Sequence, residues 1–424
     1  MPADVSPFEG ITAVPPNTTV AVDGEGRTSQ SPILPGEHPL IETADDDLDL
    51  GTAFRESVEL HLRSDVPTVL LLSAGVDSTA LAAAARDGGH DLMCMTVQGV
   101  GDHDEAPEAA ATAAHYGHEH EVVRAHLDEG GVNRFFQAMQ RPTIDGLNTF
   151  VVCEAVRRSG FRVALSGLGG DEALGGYAHY RTLPWLRLLD TLDRVPSASR
   201  VAAGAARVAR ARGGGDKVAR LLLRGGPRTA WDLDLLQREV HPTATVRSLT
   251  GIDPLPGLRA QRHDRSRTCA ALVEDELANY LQATLLPDAD NFSMSSSVEL
   301  RVPYLDGRFF ASAVTATRGD PRRIGKRTLA DALADPFLTA VSRRRKRGFS
   351  VPMTAWLCTG PLAVLSKAVE KSDAPLWHFV SRQLATEALA GQRAERWSPR
   401  WSLVALNGWL SSLEMRPPEQ GDTG

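Results

Sequence analysis

From about residue 54 onward, apolar positions follow two different periods along the chain. The stretch "AFRESVELHLRS" (53–64) has apolar residues at the spacing of an amphipathic helix, whereas "PTVLLLS" (67–73) is an unbroken apolar run that predicts a buried strand. "LMCMTV" (92–97) repeats the strand pattern, and the alanine-rich segment after it is helical in composition. Further strand candidates are "EHEVVRA" (119–125) and "FRVALSG" (161–167). Strands that alternate with helices predict an α/β fold with a doubly wound parallel sheet.

Two other regions flank this core. Residues 1–50 are rich in proline and glycine, and "ITAVPPNTTVAVDGEG" within them is consistent with a short strand or hairpin. Beyond Tyr180 the strand pattern fades, and Leu-, Arg- and Ala-rich stretches of helical period follow. We therefore expect an N-terminal extension at 1–50, an α/β core at 51–180 and a large, mainly helical part at 181–418.

Composition narrows the class of protein. The chain has 424 residues, of which 42% are hydrophobic and 23% charged, as in ordinary globular proteins. A net charge of −7 argues against a broad nucleic-acid surface, and no apolar run reaches the about 18 residues of a membrane span. The four cysteines are scattered without a CxxC pair. We expect a cytoplasmic protein that binds neither membrane nor nucleic acid.

The first candidate site is "SAGVDS", which follows the first buried strand. In parallel sheets, ligands bind where strands end and helices begin, and small residues there let backbone N–H groups approach an anion. The residues of interest are Ser73, Gly75, Asp77 and Ser78. The alternative is a tight strand–helix turn, capped by Asp77 or Ser78.

A second strand-end cluster is "ALSGLGGDEALGGYAHY" (164–180), which has glycine turns around an Asp-Glu pair. Alone it would read as a flexible acidic loop. Two such clusters in one sheet favour a shared site, because Asp77 and Asp171 are the hard oxygen ligands that a Mg²⁺ ion bound to phosphate prefers.

Two lysines are candidates for stabilising phosphate charge. Lys346 lies in "SRRRKRGFSVP", a basic run that on its own would read as a solvated face, but its apolar end suggests a loop folded onto the body. Lys326, in "RIGKRTLADAL", is the second candidate, although its context favours the start of a helix. Between these and the core, Glu299, Arg301 and Asp306 suggest an ion-pair network beside a pocket wall.

Five motifs in order carry a resemblance to a known family. They read "SAGVDS", "DEAPEA", "SGLGGDEALGGY", "SMSSSVELRVPYLD" and "KRGFSVPMTAWL", and "RWSLVALNGW" follows near the end. From about residue 50 to about 412 the chain resembles the synthetase domain of the asparagine synthetase family.

The resemblance implies a fold of the ATP pyrophosphatase type, similar to the adenine nucleotide alpha-hydrolases. It also implies roles for named residues. Asp77 and Asp171 would bind Mg²⁺, and Lys346 would be the catalytic lysine. The residues that it places around ATP are Leu72, Ser73, Gly75, Asp77, Ser78, Val97, Ser166 and Gly167. A substrate pocket is expected near Leu168, Tyr177, Ser293, Met294, Glu299 and Lys326.

The chain departs from the family's pattern at three points. Position 2 is Pro2, where the family's N-terminal glutaminase carries its cysteine nucleophile, so we expect that domain to be lacking and 1–50 to resemble its last hairpin. Ala74 replaces a glycine, which the turn permits if φ is negative there. Leu168 replaces a glutamate that lies near the nucleophile in the family, which puts asparagine as the product in doubt.

These observations predict an ATP-dependent, AMP-forming carbon–nitrogen ligase. It would adenylate a small-molecule or peptide carboxylate and transfer the acyl group to an amine or ammonia, in specialised-metabolite biosynthesis. One alternative is a synthetase subunit supplied by a separate glutaminase or carrier protein. Another is a nucleotide-binding pseudo-enzyme that serves as a scaffold.

Overall fold

A computed structural model of the chain describes residues 6–33, 49–98, 104–177, 180, 183, 204, 229–254, 269–318, 325–344, 351–390 and 397–414. Near the N-terminus, strands β1 (Thr18–Val22) and β2 (Thr28–Pro32) form an antiparallel hairpin within the predicted N-terminal extension. The boundaries that we predicted for the domains stay a prediction.

A five-stranded parallel sheet forms the centre of the fold, as the alternating pattern predicts. Its strands are β3 (Thr68–Leu71), β4 (Met93–Gln98), β5 (Glu119–Arg124), β6 (Val163–Leu165) and β7 (Glu299–Arg301). Their spatial order is β5-β4-β3-β6-β7, and every neighbouring pair is parallel. The α/β class with helices flanking the sheet is confirmed.

The strand order reverses direction between β3 and β6. From β3 the chain moves outward to β4 and β5, then returns to the other side of β3, where Leu70 of β3 pairs with Leu165 of β6. In open α/β sheets, ligands bind in the crevice at such a switch point, beyond the carboxyl ends of the strands. The two glycine-bearing loops identified in the sequence follow these two strands.

Helices cover both faces of the sheet. Those in the first half are α1 (Leu50–Leu62), α2 (Val76–Asp87), α3 (Ala106–Tyr116), α4 (Glu129–Ala138), α5 (Leu147–Arg158) and α6 (Gly170–Leu174). Successive strand residues enter different cores, because side chains alternate along a strand. Leu70 packs in the same cluster as the α2 alanines, whereas Val69 packs with Val156 of α5.

The second half is mainly helical. Its α-helices are α7 (Ala230–Arg238), α8 (Thr243–Thr250), α9 (Cys269–Glu276), α10 (Leu286–Ser295), α11 (Gly307–Arg318), α12 (Arg327–Leu333), α13 (Pro336–Ser342), α14 (Met353–Cys358), α15 (Ala363–Ala368), α16 (Arg382–Ala390) and α17 (Trp397–Glu414). A π-helix spans Leu277–Leu285, and 3₁₀ turns span Pro303–Leu305 and Pro375–His378.

An aromatic core ties this half to the sheet. Phe135 of α4 stacks on Phe292 of α10 with ring centroids 4.7 Å apart, and it also contacts Phe150 and Trp401. Trp401 is fully buried, and its indole N–H donates to the carbonyl oxygen of Ile144 at 2.9 Å. The C-terminal helix α17 therefore packs on the helices that flank the sheet.

The fifth strand corrects one expectation. We expected no strand beyond Tyr180, yet β7 pairs with β6 at the sheet edge. Three residues are too short to display a strand period, so no sequence pattern could announce it. Among the helices that the structure describes, none is both long and apolar enough to cross a membrane.

Candidate active site

The loop after β3 is closed by two serine hydroxyls. The Ser78 hydroxyl accepts a hydrogen bond from the backbone N–H of Ser73 at 3.0 Å and lies 3.0 Å from the Ser73 hydroxyl. The Ser73 hydroxyl in turn accepts from the N–H of Gly75 at 3.1 Å. Ala74 is not among the described residues with positive φ, so alanine fits this turn.

Helix α2 begins directly at this loop. Its N-cap is Gly75, and no side chain forms a cap hydrogen bond there among the residues described. Asp77 is therefore not the cap that the turn-and-cap alternative proposed, and Ser78 closes the loop instead. The amino end of a 12-residue helix, with its partial positive charge, lies at the carboxyl end of β3.

The loop after β6 lies close against Asp77. A Cβ on Gly167 would come within 2.9 Å of the Asp77 Cβ, and one on Gly170 within 2.8 Å of Asp77 Oδ1. Gly169 has φ of +92°, and a side chain there would meet Leu305 at 2.6 Å. Glycine is required at these positions, because larger residues would push the second loop away from the first.

Lys326 lies between the two candidate metal ligands. Its Nζ is 2.8 Å from Asp171 Oδ1 and also contacts Asp77 Oδ2. All three side chains are largely buried, with 14% of Lys326, 17% of Asp77 and 18% of Asp171 exposed. Burial lowers the pKa of Lys326, but the attraction of the two carboxylates outweighs it and raises that pKa overall. The lysine is therefore a cation.

Several backbone contacts hold this triad in place. The N–H of Gly325 donates to the carbonyl oxygen of Leu174 at 2.7 Å, which fixes the start of α12 against α6. The buried Tyr304 hydroxyl donates to the backbone oxygen of Asp77 at 3.0 Å. A Cβ on Gly176 would overlap Asp171 Oδ1 and lie 2.8 Å from Lys326 Cε.

A family comparison agrees with this geometry. The family model described as Asparagine synthase matches residues 49–411. The chain belongs to the asparagine synthase family.

Curated members of the asparagine synthase family extend beyond this chain. A protein of Mycobacterium tuberculosis, "Putative asparagine synthetase [glutamine-hydrolyzing]", is 32% identical over 338 residues, which cover 74% of this chain and 49% of the relative. "Asparagine synthetase [glutamine-hydrolyzing] 1" of Bacillus subtilis is 25% identical over 96% of this chain and 66% of its own length. "Amidase chry2" of Gibberella zeae is 29% identical over 41% of this chain and 30% of its own. The chain thus spans about half the length of the mycobacterial relative.

The other residues predicted around ATP lie near the same edge of the sheet. Leu72 follows β3 and donates its N–H to the Met95 carbonyl oxygen at 2.9 Å, while Val97 lies near the end of β4. The N–H of Ser166 donates to the Arg301 carbonyl oxygen, and the Ser166 hydroxyl accepts from the N–H of Leu168. Their roles toward the nucleotide stay a prediction.

The predicted substrate residues fall in different places. Leu168 is half-buried in the loop after β6, and Tyr177 follows α6. Ser293 is buried on α10 and bonds to the backbone, whereas Met294 beside it is 54% exposed. The structure does not bring Glu299 to the site.

Glu299 lies at the opposite edge of the sheet. It begins β7 and pairs with Val163, at the amino end of β6. Its carboxylate accepts from Arg301 at 2.7 Å, as the predicted ion-pair network requires. Asp306, expected in the same network, instead accepts from the N–H groups of Arg308 and Phe309 at the start of α11.

The two lysines have exchanged importance relative to the sequence-based expectation. Lys326 does mark a helix start, as its context suggested, but it also lies between the two carboxylates. Lys346, the predicted catalytic lysine, lies outside the described residues. Glu172 was quoted in its motif but given no role, and burial raises its pKa to about 7.

Proposed function

We propose that this chain is an ATP-dependent, AMP-forming amide ligase. It would adenylate a substrate carboxylate and transfer the acyl group to an amine or to ammonia. The observation that carries the proposal is the meeting of two strand-end loops at the switch point, where Asp77 and Asp171 share one cation, Lys326. Membership of the asparagine synthase family supports ATP as the nucleotide.

The residues present fit a magnesium ion. Both carboxylates contact the same Nζ atom, so they are close enough for one divalent cation to touch both. Carboxylate oxygens are the ligands that Mg²⁺ prefers, usually together with phosphate oxygens. Asp77 and Asp171 would hold the ion, which would supply neutralisation of phosphate charge when bound.

The chain's own residues suit a reaction at the α-phosphorus. The N-terminus of α2 would bind phosphate oxygens, and Lys326, displaced from the carboxylates, would add a positive charge where pyrophosphate leaves. A carboxylate oxygen of the substrate forms a bond to the α-phosphorus while the bond to pyrophosphate breaks. The nitrogen of the acceptor then attacks the acyl carbon, AMP departs, and the nitrogen loses a proton.

The acceptor is proposed to be an amine rather than ammonia from glutamine. Leu168 presents an apolar, half-buried side chain in the loop next to the nucleotide carboxylates, which suits an acceptor that carries carbon. Such an acceptor fits a role in specialised metabolism. A separate glutaminase or carrier protein remains the alternative source of nitrogen. We place the reaction in the cytoplasm, where ATP is made and where Cys94 and Cys153 would remain thiols.

The experiment supplies purified protein with MgATP, a panel of carboxylic acids and hydroxylamine as a surrogate amine. We expect AMP and pyrophosphate in equal amounts, together with a hydroxamate of each acid that is accepted. Asp77→Asn and Asp171→Asn should abolish these products, while Asp87→Asn, an exposed ion-pair partner of Arg55, should not. ADP and orthophosphate as products, or no acid-dependent turnover across the panel, would contradict the proposal.

A further inference from the structure

A guanidinium group lies between two aromatic rings beside the candidate site. Arg238, at the end of α7, has its guanidinium carbon 3.5 Å from the ring centroid of Tyr280 and 4.7 Å from that of Tyr177. Tyr280 belongs to the π-helix Leu277–Leu285, and Tyr177 follows α6. The stack thus joins the mainly helical part to the segment that carries Asp171.

Acidic groups fix the same arginine from other directions. Its guanidinium nitrogens lie 3.5 Å from Asp234 and 3.4 Å from Glu276, whose side chains are almost fully buried. The Tyr180 hydroxyl donates to Glu276 at 2.8 Å. With 23% of the Arg238 side chain exposed, the group has little freedom to leave this position.

The stack reaches Asp171 through a short segment. The Tyr177 hydroxyl donates to Glu172, which is 2% exposed and directly follows Asp171 in the chain. The N–H of Gly176 donates to the Asp171 backbone oxygen at 2.8 Å, and a Cβ on Gly176 would overlap the Asp171 carboxylate. Moving Tyr177 would therefore move both neighbours of that carboxylate.

We propose that Arg238 is a positioning residue that holds the Asp171 carboxylate in its metal-binding orientation by fixing the ring of Tyr177. This inference rests on the proposed function, since it assumes that Asp171 binds a divalent cation with ATP.

Two features favour positioning over packing alone. Buried ion pairs are often less stabilising than apolar residues of the same volume, so stability does not explain their presence here. A π-helix is rare and occurs frequently at functional sites. The flat guanidinium is also required, because a lysine ammonium cannot stack between two rings in the same way.

The test measures Mn²⁺ binding by electron paramagnetic resonance in the presence of α,β-methylene-ATP, which cannot release pyrophosphate. Arg238→Met should weaken Mn²⁺ binding by about tenfold or more, as loss of groups that orient metal ligands commonly does. Arg238→Lys retains the charge and so keeps the buried acids compensated, and it should show a comparable loss. The control is Arg247→Met on α8, an exposed arginine paired with Asp253, which should bind Mn²⁺ as the wild type does.

A structural role alone would give a different pattern. Guanidinium ion added to Arg238→Ala should restore part of the Mn²⁺ affinity, and Tyr177→Phe, which loses the bond to Glu172, should fall between wild type and Arg238→Met. Folded Arg238→Lys with wild-type Mn²⁺ affinity would overturn the inference. Wild-type protein that binds no nucleotide analogue would instead overturn the proposed function on which the inference rests.

Discussion

Replacing Lys326 with methionine removes the ammonium group between Asp77 and Asp171 while keeping most of the side chain's length. No side-chain hydrogen bond from Lys326 caps α12, so the start of that helix should survive. The substitution leaves two largely buried carboxylates facing each other without the cation that both contact. It therefore isolates the electrostatic role of the lysine.

The magnitude follows from the geometry. Two carboxylates that contact one atom lie roughly 5 Å apart, and their repulsion at an effective dielectric constant of about 20 is about 3 kcal/mol. Breaking a buried ion pair costs about 3–5 kcal/mol, and the partial exposure of all three side chains favours the lower end. We expect the free energy of unfolding to fall by about 3 kcal/mol in the absence of divalent cations.

Urea unfolding in EDTA and in Mg²⁺ provides the assay. Mg²⁺ at about 100 times its dissociation constant should restore about 2.7 kcal/mol to Lys326→Met, because the ion takes the position of the ammonium group. The wild type should gain less, since its lysine competes for the same carboxylates. The exposed Lys367, changed to methionine, serves as the control and should shift stability by less than about 0.5 kcal/mol. Equal stability of Lys326→Met and wild type in EDTA, or equal gains in Mg²⁺, would refute the reasoning.

Two further predictions concern buried groups away from the lysine. Burial raises the pKa of Asp288 from an ordinary 3.8 to about 7, against the hydrogen bond from Thr143, so the folded state holds a proton that the unfolded state loses. The free energy of unfolding of the wild type should therefore fall by up to about 4 kcal/mol as pH rises from about 4 to above 7. Urea titrations should show this fall removed in Asp288→Asn and kept in Asp290→Asn on the exposed side of α10; parallel pH profiles of wild type and Asp288→Asn would contradict it. Gly146→Ala places a methyl group inside the ring of Phe292 and should cost about 2 kcal/mol; an unchanged melting temperature would show that the aromatic core yields more easily than packing implies.

The parts of the fold that repeat a period could be predicted from the sequence. Four of the five sheet strands coincide with unbroken or alternating apolar runs, and the loop after β3 was located from "SAGVDS" alone. The meeting of Asp77 with Asp171 followed from the rule that parallel strands end at one edge. Each of these inferences uses local pattern or a general topological rule.

The residues that were not predicted depend on long-range packing. Lys326 is 249 positions from Asp77, and only the docking of α12 on α6 brings the two together. Arg238 lies in a part of the chain where arginine is common, so nothing in the sequence separates it from its neighbours. The three-residue β7 becomes a strand because β6 offers it an open edge.

A crystal structure with Mn²⁺ and α,β-methylene-ATP, analysed for the anomalous signal of manganese, tests the central claim most directly. We predict one manganese peak that touches Asp77, Asp171 and the triphosphate, with Lys326 turned away from the carboxylates onto phosphate oxygens. Manganese bound elsewhere, with Lys326 still between the two carboxylates, would contradict the account.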